Sequence, residues 1–351
     1  MIWKKKQFWG TIVALALLAY CLKDIRLTEV EMLFERLDYL LLIPALISAF
    51  LFMIFRGLRW KLIVQQQKDL KTMHALSLYS AGQMLNMVMP MLTGQVGRMI
   101  LFSKRAGLKK TFTFSTIILE VLFDAIALIT FLVLVSLAFT FPDQYRSLGV
   151  MISALTIAGL TLLYFILHFR ENIDEFSRKC FRKRWPGFYI TVRKFLLTFI
   201  NGMEMLKSTQ HMAGSIMYSF LSWAAHTISI YFLLKSFGFH LPLATAATVM
   251  IVNTVALMIP ITPGNAGTFE IAVSRSLTAF SVGRSDSVLF ALALHLIDML
   301  PIFAMGLYFM HIEKISLREI KKEHEDESLL DKITEEGKFV ERRSGKASKT
   351  A

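Results

Sequence analysis

Cysteine is almost missing from this sequence: Cys21 and Cys180 are the only two in 351 residues. One falls in an apolar run and the other in a basic loop, so the chain has no disulfide framework to lean on. Catalytic signatures are missing too. There is no G-x-S-x-G, no phosphate loop of the G-x-x-x-x-G-K type and no H-E-x-x-H. No His, Cys or acidic set has metal-ligand spacing, so no catalytic residue, metal or cofactor is assigned. Acidic residues are outnumbered, 26 against 39 Lys and Arg, which gives a net charge of +13. On a soluble chain that excess would suggest nucleic acid. Here no zinc spacing, nucleic-acid motif or aromatic-interleaved basic stripe goes with it, and nucleic-acid binding is set aside.

What the chain has in quantity is apolar sequence, 55% of its residues. Several runs approach the roughly 20 residues that carry a helix across hydrocarbon. The composition predicts an all-α polytopic membrane protein, with the basic excess held in cytoplasmic loops by the positive-inside rule. After the basic start MIWKKK, residues 8–22 read as an uncleaved first helix and 23–38 as an acidic outer loop. A span over 39–55 ends at Arg56, Arg59, Trp60 and Lys61, which read as a basic edge at headgroup level. Further spans are expected over 112–141, 150–168, 215–234 and 287–310. The loop 170–194 holds eight basic residues against three carboxylates and suits anionic lipid, and 190–206 reads as an interfacial helix. The count is about six full crossings plus two broken hairpins, with both termini in the cytoplasm of a cell-membrane protein. Eight spans is the alternative. Residues 1–312 form the membrane domain, and 313–351 a charged, largely disordered cytoplasmic tail.

The broken hairpins organise the rest. In the first, Asn86 precedes Pro90, Gly94, Gly97 and Arg98; in the second, Asn253 precedes Pro260, Pro263, Gly264, Gly267 and Glu270. Both copies read Pro, three residues, Gly, two residues, Gly, and each is followed by an apolar helix carrying a carboxylate. Glycine permits sharp bends and close approach of a ligand, and proline ends the helix before it. Basic flanks place the first hairpin's ends on the cytoplasmic side, and the span count places the second's on the outside. Half-repeats over about 73–141 and 243–310 of opposite orientation make an inverted repeat, a pattern that points to a substrate site near the midplane. The bland alternative is tight helix packing.

Glu120 and Asp124 lie four apart on one helix face, with Arg98 and Arg275 as candidate partners for Asp124. His295 and Asp298 lie three apart and read as a proton-exchanging pair. Glu120, Asp124, Arg275, His295 and Asp298 are the candidate proton or polar path. His226 reads as a packed histidine and His74 as an interfacial one. Arg98 offers a fork of donors to a phosphate, and Glu270 either favours a helix dipole or, opposite Arg98, brackets a headgroup carrying both signs.

These residues together resemble a known pattern. Arg56-Gly-Leu-Arg59-Trp60, the stretch from Asn86 to Arg98, Glu120 with Asp124, and the segment from Ile259 to Glu270 are similar to the lysylphosphatidylglycerol synthase transmembrane-region family. The resemblance runs from about Trp3 to about His311 and is most specific at Pro-x-Thr-Pro-Gly-x-x-Gly-x-x-Glu. Gln95-Val96 and His295 depart from the family's usual residues. The resemblance implies a flippase-like membrane unit without the aminoacyl-transferring domain of two-domain members. It implies membrane lipids as partners: anionic or aminoacylated phospholipid, or polyprenyl-phosphate-linked sugar. A homo-oligomer or a partner synthase fits beside it. Two other functions fit the same residues. One is a membrane transferase using a lipid-phosphate donor and outer carboxylates such as Asp24 or Asp38. The other is a scaffold that holds a soluble enzyme through 170–194.

Overall fold

A computed structural model describes residues 2–23, 27–65, 67–88, 93–138, 208–257 and 262–314, with isolated positions between 150 and 193. Its helices are α1 (Ile2–Leu22), α2 (Leu27–Arg36), α3 (Tyr39–Gln65), α4 (Thr72–Val88), α5 (Thr93–Ala106) and α6 (Lys110–Ala138). Further along the chain come α7 (Thr209–Ser236), α8 (Leu243–Ala256), a 3₁₀ turn (Pro263–Asn265), α9 (Thr268–Thr278) and α10 (Arg284–Ile312). Among the described residues, four stretches are long and apolar enough to cross a membrane: Tyr39–Gln65, Phe112–Val135, Thr209–Ser236 and Arg284–Ile312. Shorter apolar helices are Ile12–Leu22 and Leu243–Ala256. The chain is an all-α polytopic membrane protein. The expected span over 150–168, the basic loop, the interfacial helix and the tail beyond 314 lie outside the described residues.

Two local readings need correction. The outer segment expected as a loop contains α2, whose Leu27, Val30, Leu33 and Phe34 recur at helical spacing; Val30 packs on the core. The second correction matters more. Instead of ending near residue 55, α3 runs 27 residues, about 40 Å. Arg59 and Trp60 are each 0% exposed, not an edge at headgroup level. The helix continues because neighbouring helices supply partners for its guanidinium groups.

Hydrogen bonds at the two ends of the bundle fix its topology. At one end, Asp38 N–H donates to the Ser236 carbonyl at 2.9 Å and Ser236 Oγ to the Asp38 carbonyl at 3.0 Å, so α3 starts where α7 stops. Phe237 packs edge-on against Phe290 there, at 5.2 Å between ring centres. At the other end, Lys61 donates to Thr72 at 2.9 Å, His74 and Ser77 meet Glu313, and Arg105 donates to the Lys314 carbonyl at 3.3 Å. The α4–α5 hairpin therefore starts and finishes where α10 ends. The α8–α9 hairpin starts after α7 and finishes just before α10, at the opposite end.

The core seam between α3 and α7 uses small residues, Ala45 and Ala49 against Ser222 and Ser229, which let the backbones close in. Ser229 Oγ donates across it to the Ala45 carbonyl at 2.8 Å. Interhelical hydrogen bonds of this kind are weak because the unfolded chain in a membrane also finds partners. Ser229→Ala is expected to cost only about 0.6 kcal/mol; unfolding in mixed micelles should barely shift. Pro301 lies buried inside α10, between the residues this helix gives to the two hairpins.

Candidate functional site

At the first break, residues 89–92, and Pro90 with them, lie outside the described residues. On either side, α4 and α5 touch backbone to backbone. A Cβ added at Gly94 would lie 2.7 Å from Cα and 2.9 Å from the carbonyl oxygen of Asn86. One turn along, Gly82 leaves room for Arg98, whose Cγ would be 2.9 Å from an added Cβ. Gly97 is buried on α5. Arg98 is 3% exposed, stacks over Tyr79 and Phe102, and donates to Glu120 at 2.5 Å.

Glu120 and Asp124 project from one face of α6, ten and fourteen residues after its start. At 1.5 Å per residue that is about 15 to 21 Å along the axis, near the middle of a hydrocarbon layer about 30 Å thick. The two carboxylates serve different neighbours. Glu120 takes Arg98, whereas Asp124 takes Arg56 Nη2 at 2.5 Å and Arg59 Nη1 at 2.6 Å. Arg98 and Arg275, the partners read from the sequence, are displaced in this role. One helical turn separates the carboxylates, so α5 reaches the first and α3 the second. Asp124 also accepts from the Trp223 indole at 3.0 Å, and Arg59 Nη1 donates to Ser219 at 2.8 Å. Arg56 lies over the rings of Phe52 and Trp223, so Asp124 ties α3, α6 and α7 together. Arg275 is exposed on α9.

At the second break, Pro260 lies outside the described residues and Pro263 opens the 3₁₀ turn. Gly264 has φ 59° and Gly267 φ 86°, backbone values that favour glycine. Glu270 is 2% exposed; one carboxylate oxygen accepts the Gly267 N–H at 2.6 Å and the other meets His295 Nδ1 at 2.7 Å. His295 Nε2 reaches the Gly264 carbonyl at 3.0 Å, and its ring stacks on Phe269 at 4.2 Å. The Glu270 side chain thus caps α9, which the sequence suggested through the dipole, and also holds a partner the sequence did not suggest. The His295–Asp298 pair expected from spacing is not formed. Asp298 instead meets His226 on α7 at 3.2 Å, and His226 stacks on Phe52. Both side chains leave α10 on one side, but α9 draws one and α7 the other.

The two breaks come together. A Cβ at Gly264 would lie 3.8 Å from Cε of Met87, at the end of α4. A Cβ at Gly306 on α10 would crowd Met84 at 2.7 Å. Beside the junction, four buried polar atoms have no partner among the described residues: Gln95 Oε1 and Arg98 Nε next to the first break, and Asn253 Oδ1 and Thr262 Oγ1 on either side of the second. Buried polar groups are normally hydrogen-bonded, so four unsatisfied ones flanking two breaks need a reason.

The family profile described as lysylphosphatidylglycerol synthase TM region matches residues 7–306. The chain belongs to this family. Among curated relatives, a UPF0104 membrane protein of Methanothermobacter thermautotrophicus is 24% identical over 296 residues, covering 79% of this chain and 87% of that protein. A UPF0104 membrane protein of Pyrococcus horikoshii is 23% identical over 215 residues, covering 56% of this chain and 63% of that protein. No solved structure matches.

Within this member of the lysylphosphatidylglycerol synthase TM-region family, Arg56, Arg59 and His226 are ionisable residues at the carboxylate contacts that the sequence reading does not place there. A signal for the first two was present. Leu62, Ile63 and Val64 continue the apolar run beyond Arg59, so both arginines lie inside a span rather than at its edge. Ionisable residues inside a span are functional candidates by default.

Proposed function

We propose that the chain translocates a phospholipid or a lipid-linked precursor across the membrane. The headgroup passes between the two broken hairpins while the acyl chains stay in lipid. One observation carries this reading: hairpins opening to opposite ends of the bundle meet at Met87 and Gly264, with unpartnered polar atoms beside the meeting point. Irregular backbone at membrane depth is tolerated where it is buried in protein or lines a wet cavity, and paired broken helices at the midplane are how many transporters build their sites. The first break carries both signs of charge, Arg98 with Glu120, and the second carries the Glu270–His295 pair, which suits a headgroup that is itself charged. Because Arg98 is already paired, a phosphate at Gly94–Arg98 competes with Glu120 instead of meeting a free cation. The end bearing Lys61, Lys68, Lys71, Lys104 and Arg105 is assigned to the cytoplasm of the cell membrane by the positive-inside rule.

The test is reconstitution into liposomes containing labelled anionic phospholipid, aminoacylated phospholipid or a polyprenyl-phosphate sugar. Accelerated appearance of at least one label in the opposite leaflet is expected, and Arg98→Gln should slow it at least tenfold. Acceleration of no lipid, or an Arg98→Gln variant as fast as the parent, overturns the reading. A transferase would work in detergent without a bilayer. Of its outer carboxylates, Asp38 is engaged in accepting the Leu40 N–H at 3.0 Å at the start of α3.

A further inference from the structure

The contacts around Glu270 and His295 fix a proton count. A carbonyl oxygen can only accept, so the 3.0 Å contact between the Gly264 carbonyl and His295 Nε2 requires a hydrogen on Nε2. A neutral imidazole carries one N–H, and this contact uses it. The other ring nitrogen, Nδ1, stands 2.7 Å from Oε1 of Glu270. Oε2 of the same carboxyl is occupied by the Gly267 N–H. A carboxylate facing a bare Nδ1 would set two lone pairs against each other. A second proton therefore lies between Nδ1 and Oε1, as an imidazolium beside a carboxylate or as an imidazole beside a carboxylic acid. Either way the pair holds one proton more than a carboxylate plus a neutral imidazole. Both residues are nearly sealed, at 2% and 7% exposure.

We propose that Glu270 and His295 form a proton-binding site that latches the second break. With the proton bound, His295 holds the Gly264 carbonyl while Glu270 holds the Gly267 N–H, and the turn between the two glycines is pinned at both ends. When the proton leaves, one N–H remains for two acceptors. Either the Gly264 carbonyl or Oε1 of Glu270 is then left buried without a donor, and the turn opens. The latched state binds one proton more than the open state, so it is favoured as pH falls and lost as pH rises.

The charged and titratable surroundings are these. Arg275 lies on the exposed face of α9, and α8 contributes no titratable group. From α10 come Arg284 and Asp298, the latter held by His226 of α7. From α1 comes Cys21, within electrostatic reach of Glu270 and Arg284. The proton site stands on the hydrogen-bond geometry alone. Its use, to couple headgroup passage to proton movement, rests on the translocation reading.

The test needs no lipid assay. In the full chain, reconstituted in liposomes with Cys21 and Cys180 replaced by serine, Ala266→Cys reports on the turn through its rate of modification by N-ethylmaleimide. Rates are taken as ratios to the same reporter in a Glu270→Gln background at each pH, which cancels the thiol's own titration. The glutamine amide satisfies all three contacts with no extra proton: its oxygen accepts from Gly267, its amide N–H donates to Nδ1, and the imidazole Nε2–H still donates to Gly264. That variant stays latched at every pH. The parent-to-variant ratio is expected to climb with pH, by up to about tenfold per unit. His295→Phe keeps the stack on Phe269 but lacks the latch, and should react fast throughout. Hydrogen exchange at the Gly267 amide, compared between parent and Glu270→Gln at one pH, gives a second readout that no reporter perturbs. A ratio that stays flat, or a Gly267 amide equally protected in both proteins at high pH, overturns the proposal. A turn that titrates while no lipid moves would sink translocation and leave the proton site standing; lipid movement with a flat ratio would do the reverse.

Discussion

Asp124→Leu is expected to destabilise the protein by about 3 to 5 kcal/mol, the usual cost of stranding a buried charge. Two guanidinium groups converge on this one carboxylate, and Arg59 is 0% exposed. Removing the carboxylate leaves Arg59 with Ser219 as its remaining partner, and Trp223 loses its acceptor. Three long helices would then meet around an uncompensated cation at membrane depth. Unfolding of the purified protein in mixed micelles gives the magnitude. The mechanism has its own check. Adding Arg59→Met to Asp124→Leu removes the stranded charge as well, and apolar replacement of a whole buried pair is often close to neutral. The double variant should recover at least about half of the loss, because Arg56 keeps its ring contacts and is partly exposed. A double variant no more stable than Asp124→Leu would show that packing, not charge, decides the cost.

Gly267→Ala is the second large effect, about 3 kcal/mol or more from backbone strain and overpacking together. At φ 86° the backbone is unsuited to any side chain, and an added Cβ would overlap Leu17 while lying 3.3 Å from the Ala14 carbonyl oxygen. The first helix would have to move away. Gly264→Ala provides the contrast. Its φ is also positive, at 59°, but the nearest atom to an added Cβ is 3.8 Å away. Only the conformational penalty remains, about 1 to 2 kcal/mol. Thermal unfolding of the two variants side by side should place Gly267→Ala clearly below Gly264→Ala. Equal losses would mean that α1 does not seat against the turn as described.

The apolar helices and the positions of both breaks were legible in the sequence because they depend on local properties: length of an apolar run, the missing donor of proline, the missing Cβ of glycine. Partner choice was not legible. Glu120 and Asp124 share a helix face, yet their cations come from positions 22, 65 and 68 residues away in the chain. Helix periodicity shows which side a residue takes, not which helix crosses there. The same limit explains why His295 and Asp298, neighbours on one turn, serve different helices. Arg56 and Arg59 were misplaced for another reason. Two arginines and a tryptophan after an apolar run imitate a membrane edge, although Leu62, Ile63 and Val64 carry the run past them and Asp124 supplies the partner that lets Arg59 stay buried.

The buried proline of α10 has a mechanical consequence. Before it, His295 grips the tip of the second hairpin; after it, Gly306 seats Met84 and Glu313 holds His74 and Ser77 of the first. Proline deletes a backbone hydrogen bond inside a helix and softens it there. The last helix thus carries one hairpin on each side of its weakest backbone point, and bending there would tilt one hairpin's anchor against the other's.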